Sequence, residues 1–149
     1  MSLEKDVRAL SLVPIFAHFE NEALRLLAFT AEKITLAKGD VLFRAGDVSD
    51  CGFIVLSGSV GLGSRDDDTM PELVVHPPAL IGELAMIVPT ELRGDAIAAE
   101  DSEVLKIPRK LFLRVLREFP EGTVHLRQSM SEQLAKFVGK LLEINSDQA

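Results

Sequence analysis

The hydrophobic and polar positions divide the chain into a helical first part, a β-rich middle and a helical last part. In the first third, the apolar positions Leu24, Leu27 and Ala28 recur at helical spacing after Asn21. Asparagine is a favoured residue at helix N-termini, so we predict a short helix that Asn21 caps.

After Gly39 the pattern changes to short runs of β-type residues that turn residues separate. These runs are residues 41–43, 53–56, 59–62, 73–75, 96–99 and 103–107. Several short strands at such spacing are typical of an antiparallel sandwich, roll or barrel.

The last part returns to helical spacing. Pro108 suits the first turn of a helix that runs through Phe112, Val115 and Leu116, and a last helix is predicted from Pro120 to about residue 143. Five apolar residues of that last helix are spaced by four, three, four and three, which is the seam of a short coiled coil and predicts a homodimer. They are Met130, Leu134, Phe137, Leu141 and Ile144.

Composition and charge narrow the class of protein. The 149 residues fit one continuous domain, and we assign residues 1–149 to it because no internal repeat or linker is visible. Cys51 is the single cysteine, so a disulfide framework is excluded and a reducing cytoplasm is expected. No apolar run reaches membrane length, and the formal net charge of −7 disfavours nucleic acid as a partner of this chain alone.

The segment with candidate chemistry is Ile-Gly-Glu-Leu-Ala-Met at residues 81–86, with Arg93 eleven residues after Gly82. A glycine turn into a helical turn presents backbone N–H groups to an anion, and an arginine binds phosphate through two parallel bonds. The carboxylate of Glu83 can accept hydrogen bonds from sugar hydroxyls. The three features together describe a sugar-phosphate pocket. The alternative is an ordinary helix start packed by Leu84 and Met86, with Arg93 as a surface charge.

The surrounding sequence resembles the cyclic-nucleotide-binding domains of the catabolite activator protein, cyclic-nucleotide-dependent protein kinases and gated channels. The resemblance extends from about Leu10 to the last helix. It rests on four ordered motifs at residues 12–16, 38–47, 53–60 and 81–93, the last of which is similar to the family's phosphate-binding cassette.

The resemblance implies a mainly β fold with flanking helices. It predicts an antiparallel β-roll over about residues 33–107, N-terminal helices, and C-terminal helices over about residues 108–145 that include one long helix. The implied function is a regulatory sensor that binds a cyclic mononucleotide, with no catalytic residue, no metal and no cofactor. Residues in a nucleophile–base arrangement are also missing from the sequence, so we do not expect an enzyme.

The family's site residues transfer to matching positions of this chain. Gly82, Leu84 and Ala85 would line the anion-binding turn, and Glu83 would hold the ribose 2′-hydroxyl. The cyclic phosphate would bind Arg93, assisted by the backbone of Gly94. By position along the last helix, Phe137 and Val138 would lie nearest the base, although packing on the seam is the alternative for Phe137.

Two positions after Arg93 depart from the family's pattern, and the cassette lead-in at residues 76–79, His-Pro-Pro-Ala, is stiffer than the glycine-containing turn that the family has. Asp95 stands where the family has a small residue, and its carboxylate would either pair with Arg93 or repel a phosphate. Gly94 lacks a hydroxyl that could favour guanine, and we expect cAMP ahead of cGMP. Two alternatives stay open, a ligand-free interaction module that keeps the fold and the sensor half of a transcription factor.

Overall fold

The structure is a computed structural model that describes residues 2–64 and 73–120. Two α-helices and a 3-10 turn come first, at α1 (Ser2–Ser11), Pro14–Phe16 and α2 (Asn21–Thr30). In the described residues ten strands follow, with a second 3-10 helix at Glu83–Met86, and α3 (Arg109–Glu118) is the last described element. The strands are β1 (Glu32–Leu36), β2 (Val41–Phe43), β3 (Val48–Ser49), β4 (Cys51–Ser57), β5 (Val60–Ser64), β6 (Leu73–Val75), β7 (Ala79–Ile81), β8 (Thr90–Glu91), β9 (Gly94–Ala98) and β10 (Ser102–Pro108).

The strands form two four-stranded antiparallel sheets and one short ribbon. The first sheet has the order β1-β10-β4-β7, the second has the order β2-β9-β5-β6, and β3 pairs with β8. This confirms the predicted mainly β architecture, a β-roll with flanking helices. The predicted last helix and its seam lie outside the described residues.

Two predictions about where helices begin were wrong. Asn21 is the first residue of α2 and not its cap, because the extended residue before the helix is Glu20, which makes no side-chain capping bond. Pro108 likewise precedes the helix. Its extended backbone still pairs with Cys51 at the end of β10, so α3 begins one residue later at Arg109.

One hydrophobic core lies between the helices and the first sheet. Phe16, Phe19 and Phe112 form its aromatic centre, and the rings of Phe16 and Phe19 meet edge to face with centroids 5.1 Å apart. Ile54 of β4 and Met86 of the second 3-10 helix join the same core and are fully buried. The helices and the 3-10 helix therefore share one packed layer, which fixes the segment after Gly82 against the sheet.

A second core lies between the two sheets. Along β4 and β10, the side chains that fill it alternate with side chains of the first core, so this sheet is buried on both faces. In β9 of the second sheet, buried Ala96 and Ala98 flank the exposed Ile97. Its fully buried members include Val55, Val60, Ala96 and Val104. A cavity lies against this core, and its described lining includes residues of β2, β5, β6, β7 and β9.

Candidate functional site

The site begins at the turn of Gly82. This residue has a φ of +77°, in the left-handed region that glycine adopts without strain, and it stands immediately before the 3-10 helix. The backbone N–H of Ala85 donates to the carbonyl of Gly82 at 3.1 Å, which closes the turn. The structure thus forms the glycine turn and short helical turn that the sequence predicted.

The far end of this segment is held by the short ribbon of β3 and β8. Ser49 pairs with Thr90, and the backbone N–H of Leu92 donates to the carbonyl of Asp47 at 2.8 Å. The carbonyl of Leu92 in turn accepts from the N–H of Gly46 at 2.7 Å. These bonds fix the backbone directly before Arg93. We call residues 82–93 the 82–93 segment.

Arg93 is exposed and carries the free cation of this site. Within residues 2–64 and 73–120 its guanidinium makes no hydrogen bond and no ion pair. An arginine that the surrounding chain does not neutralise keeps its full donor capacity for an anion.

Both ends of the 82–93 segment line one cavity of about 520 Å³. Its described lining includes Gly82, Arg93 and Gly94 of the predicted site. Glu83 and Leu84 are half-buried beside the cavity and Ala85 is fully buried, and none of the three is in that lining. The rest of the described lining was not among the predicted site residues: Phe43, Leu62, Gly63, Leu73, Ile81, Leu92 and Asp95. Of these, the sequence indicated only Asp95, as a neighbour of Arg93.

Most of the unpredicted lining is apolar. Phe43, Leu62 and Leu73 come from three of the four strands of the second sheet, β2, β5 and β6. Their alternation along each strand could have assigned them to a common face, but not to a cavity instead of a core. The cavity therefore combines an apolar wall with one cation, a combination suited to a ligand with a flat ring and an anionic group.

Asp95 lies in the same wall but is bound elsewhere. Its Oδ1 accepts a hydrogen bond from the backbone N–H of Ala45 at 2.7 Å. No ion pair joins Asp95 to Arg93 in the described residues. The carboxylate fixes the turn between β2 and β3 and leaves the guanidinium unpaired.

Gly94 is a glycine for a steric reason. It pairs with Ser64 in the ladder of β5 and β9, and a Cβ at this position would collide with the carbonyl oxygen of Gly63. Gly63, which also lines the cavity, is the diagonal neighbour of Gly94 in this ladder, so this part of the cavity wall is backbone.

Arg109 is a site neighbour that the sequence did not indicate. Its Nε donates to the carbonyl of Ala85 at 3.0 Å, and its Nη2 donates to the carbonyl of Ser49 at 3.2 Å. The first acceptor lies in the 82–93 segment, and the second lies in β3, which pairs with β8 of that segment.

Cys51 lies on the strand under the Gly82 turn. Burial raises the pKa of its thiol above the ordinary value of 9.0, although the hydrogen bond with Ser49 acts in the opposite direction. The thiol is therefore protonated at neutral pH and is a packing group.

The family model for the cyclic nucleotide-binding domain matches residues 33–119, more than half of the chain. The chain belongs to the cyclic nucleotide-binding domain family. The match spans the β-roll, the 82–93 segment and α3, so it covers every described residue of the cavity.

Two solved structures are similar to this cyclic nucleotide-binding domain. A cyclic nucleotide-binding-like protein from Brucella abortus is 39% identical, with a TM-score of 0.69 over 75% of this chain and 97% of that one. The N-terminal domain of a transcriptional regulator from Streptomyces coelicolor is 29% identical, with a TM-score of 0.75 over 87% of this chain and 94% of that one.

Curated relatives are much longer proteins. The lysophospholipase nte1 of Neurospora crassa is 28% identical over 112 residues, which is 74% of this chain but 7% of that protein. The chain therefore spans less than a tenth of this relative.

Two predicted features of the domain lie outside the described residues, the base contacts Phe137 and Val138 and the dimer seam from Met130 to Ile144. Among the described helices, none has the length and apolar character needed to cross a membrane.

Proposed function

We propose that this domain is a regulatory sensor that reversibly binds a cyclic mononucleotide, cAMP in preference to cGMP. The observation that carries the proposal is the unpaired guanidinium of Arg93 at a cavity that also contains the turn of Gly82. The membership of the family supports the ligand class.

The cyclic phosphate carries a single negative charge and would lie between Arg93 and the turn. Arg93 would supply two parallel N–H bonds, and the backbone of Gly82, Leu84 and Gly94 would supply further contacts. The N–H of Ala85 could donate to the phosphate only if its present hydrogen bond to the carbonyl of Gly82 were broken. We therefore expect the turn to rearrange when the phosphate binds.

The ribose would bind through Glu83. This residue opens the 3-10 helix and is half-buried at the edge of the cavity. Its carboxylate would turn toward the ligand and accept a hydrogen bond from the 2′-hydroxyl.

The base would lie against the apolar wall of Phe43, Leu62 and Leu73, and Phe137 and Val138 of the last helix would cover it. The preference for cAMP rests on Gly94, which has no hydroxyl for guanine. The contact with Gly63 also leaves no room for a side chain there.

Signalling would follow from differential affinity. The nucleotide would favour the state in which the 82–93 segment and the last helix close together, and that helix would pass the change to a dimer mate through its apolar seam. We place this sensor in the cytoplasm, as a homodimer without a nucleic-acid or membrane partner of its own.

Competition between three nucleotides tests the ligand assignment. A fluorescent cAMP analogue bound to the protein should be displaced by cAMP at lower concentration than by cGMP, and 2′-deoxy-cAMP should compete more weakly than cAMP. The Glu83→Gln variant should narrow the gap between cAMP and its 2′-deoxy form, because the lost contact is the same one. Equal competition by cAMP and cGMP would refute the preference.

A second candidate is a ligand-free interaction module, and the carboxylate of Asp95 in the cavity wall favours it. This candidate requires that neither cAMP nor cGMP binds at millimolar concentration.

A further inference from the structure

We propose that Arg109 is a positioning residue that holds both ends of the 82–93 segment and ties them to the first turn of α3. The inference rests on the proposed function and adds a route from the nucleotide to the C-terminal helices. Arg109 is not in the described lining of the cavity, so it would act through the segment and not through the ligand.

The first connection runs to the Gly82 turn. The Nε of Arg109 donates to the carbonyl of Ala85 at 3.0 Å, and the N–H of Ala85 donates to the carbonyl of Gly82 at 3.1 Å. Gly82 itself lines the cavity. Two hydrogen bonds thus join the cavity wall to Arg109, and a rearrangement of the turn alters the position of the acceptor that Arg109 holds.

The second connection runs to the backbone before Arg93. The Nη2 of Arg109 donates to the carbonyl of Ser49 at 3.2 Å, and Ser49 pairs with Thr90 in the ribbon of β3 and β8. This ribbon delivers the chain to Arg93. One guanidinium therefore contacts the Gly82 turn directly and the backbone before Arg93 through the ribbon of β3 and β8.

The third connection is at the helix itself. The backbone N–H of Arg109 donates to the carbonyl of Asp50 at 2.7 Å, and Arg109 is the first residue of α3. The start of the helix and the side chain that grips the segment belong to the same residue. A shift of the 82–93 segment would therefore displace the first residue of α3.

The chemistry of arginine suits this role and that of lysine does not. In the described residues, the hydrogen-bond partners of the Arg109 side chain are carbonyl oxygens, and no carboxylate pairs with it. A planar guanidinium reaches two carbonyls in fixed directions, whereas an ammonium is a single point donor. Lysine at position 109 would keep the charge and lose one of the two contacts.

Binding free energies of two coupled sites are reciprocal, so a residue that couples the segment to α3 affects both nucleotide affinity and the response of the helix. We would measure the cAMP Kd by calorimetry and the hydrogen exchange of residues 109–118 with and without saturating cAMP. The variants are Arg109→Met and Arg109→Lys. Arg114→Met is the matched control, because Arg114 lies on the same helix and pairs with Glu118 on the surface.

Wild type and Arg114→Met should bind alike and show a cAMP-dependent change in the exchange of α3. Arg109→Met should bind about tenfold more weakly and lose that change, and Arg109→Lys should fall between them. A purely structural role would lower the unfolding temperature and leave the Kd unchanged at temperatures far below unfolding.

A folded Arg109→Met protein with wild-type affinity and a wild-type response of α3 would overturn the inference. Should Arg109→Met fail to fold, Arg109→Lys decides in the same way. If wild type bound neither cAMP nor cGMP, the proposed function itself would be refuted. This outcome is distinguished from failure of the Arg109 proposal because it is seen in the protein without any substitution.

Discussion

Asp95 accepts a hydrogen bond from the backbone N–H of Ala45 and not from Arg93, its neighbour in the cavity wall. The Ala45 N–H lies 2.7 Å from the Asp95 Oδ1, whereas Arg93 has no ion-pair partner in the described residues. Of the two effects that the sequence suggested for Asp95, neutralisation of the arginine is not seen here. Repulsion of a bound phosphate is the effect that remains to be measured.

Removal of the Asp95 charge should therefore strengthen nucleotide binding. Asp95→Asn keeps an oxygen that can accept from Ala45 and deletes the negative charge near the phosphate site. We expect the cAMP Kd to fall about three- to tenfold, because like charges in one partly buried cavity repel each other. Calorimetric titration at low ionic strength measures the change.

Asp95→Ala is the control for this prediction, since it also deletes the charge but loses the bond to Ala45. Its gain in affinity should be smaller than that of Asp95→Asn. An unchanged Kd in Asp95→Asn would show that the carboxylate does not oppose the ligand.

The turn at Gly58 should be intolerant of a side chain. Gly58 has a φ of +82°, and a Cβ there would collide with Ser102 and with the carbonyl of Asp101. We expect Gly58→Ala to lower the free energy of unfolding by about 3 kcal/mol, the sum of left-handed strain and steric overlap. Urea denaturation measures it.

Gly39→Ala is the matched control, because Gly39 has a φ of +91° and nothing within 4 Å of an added Cβ. It should cost only the backbone strain, about 1–2 kcal/mol. Equal losses in the two variants would contradict the steric part of the argument.

The ion pair of Asp6 and Lys33 should stabilise the docking of α1 on the first sheet. The Lys33 Nζ lies 2.9 Å from the Asp6 Oδ2, and only 10% of the Asp6 side chain is exposed. A double-mutant cycle with Asp6→Ala and Lys33→Ala should give a coupling of about 1–2 kcal/mol, because the carboxylate is largely shielded from water.

The pair of Arg114 and Glu118 provides the comparison on the surface, where about half of each side chain is exposed. Its cycle should give about 0.3–0.5 kcal/mol. If the Asp6 pair couples no more strongly than this one, burial does not strengthen it.

Cys51 should make the fold sensitive to alkali. Its pKa is raised in the folded state above the ordinary value of 9.0, so the folded protein holds the thiol proton more tightly than the unfolded chain. This contribution to stability is complete below pH 9.0 and is lost as the pH rises through the folded pKa.

The free energy of unfolding should therefore decline more steeply above pH 9.0 in wild type than in Cys51→Ala. Urea titrations at pH 8 and pH 10 compare the two proteins. Parallel declines would show that another group is responsible.

The six predicted strands all exist, because each contains a run of β-type residues long enough to stand out. The sequence did not reveal β1, β3, β7 and β8. β3 and β8 have two residues each, and β1 begins with the charged pair Glu32 and Lys33, so neither pattern nor length marks them. Such strands form because tertiary pairing supplies their partners.

The candidate site also contains residues that the sequence predicted and residues that it did not. Gly82 and Arg93 could be placed in one pocket because a motif and its spacing carry them. The bonds from Asp95 to Ala45 and from Arg109 to Ala85 join residues 50 and 24 positions apart, and no local pattern predicts such contacts. The apolar cavity wall was also missed, since strand alternation does not distinguish a ligand face from a core face.

The measurement that tests the central claim most directly is a calorimetric titration of wild type, Arg93→Ala and Arg25→Ala with cAMP. The chain has no Trp and no Tyr, so heat is a better signal than intrinsic fluorescence. Arg25 is an exposed arginine of α2 that does not line the cavity, and it controls for loss of a positive charge. We expect saturable binding by wild type and Arg25→Ala and its loss in Arg93→Ala. No binding by wild type, or equal binding by all three proteins, would contradict a nucleotide site at Arg93.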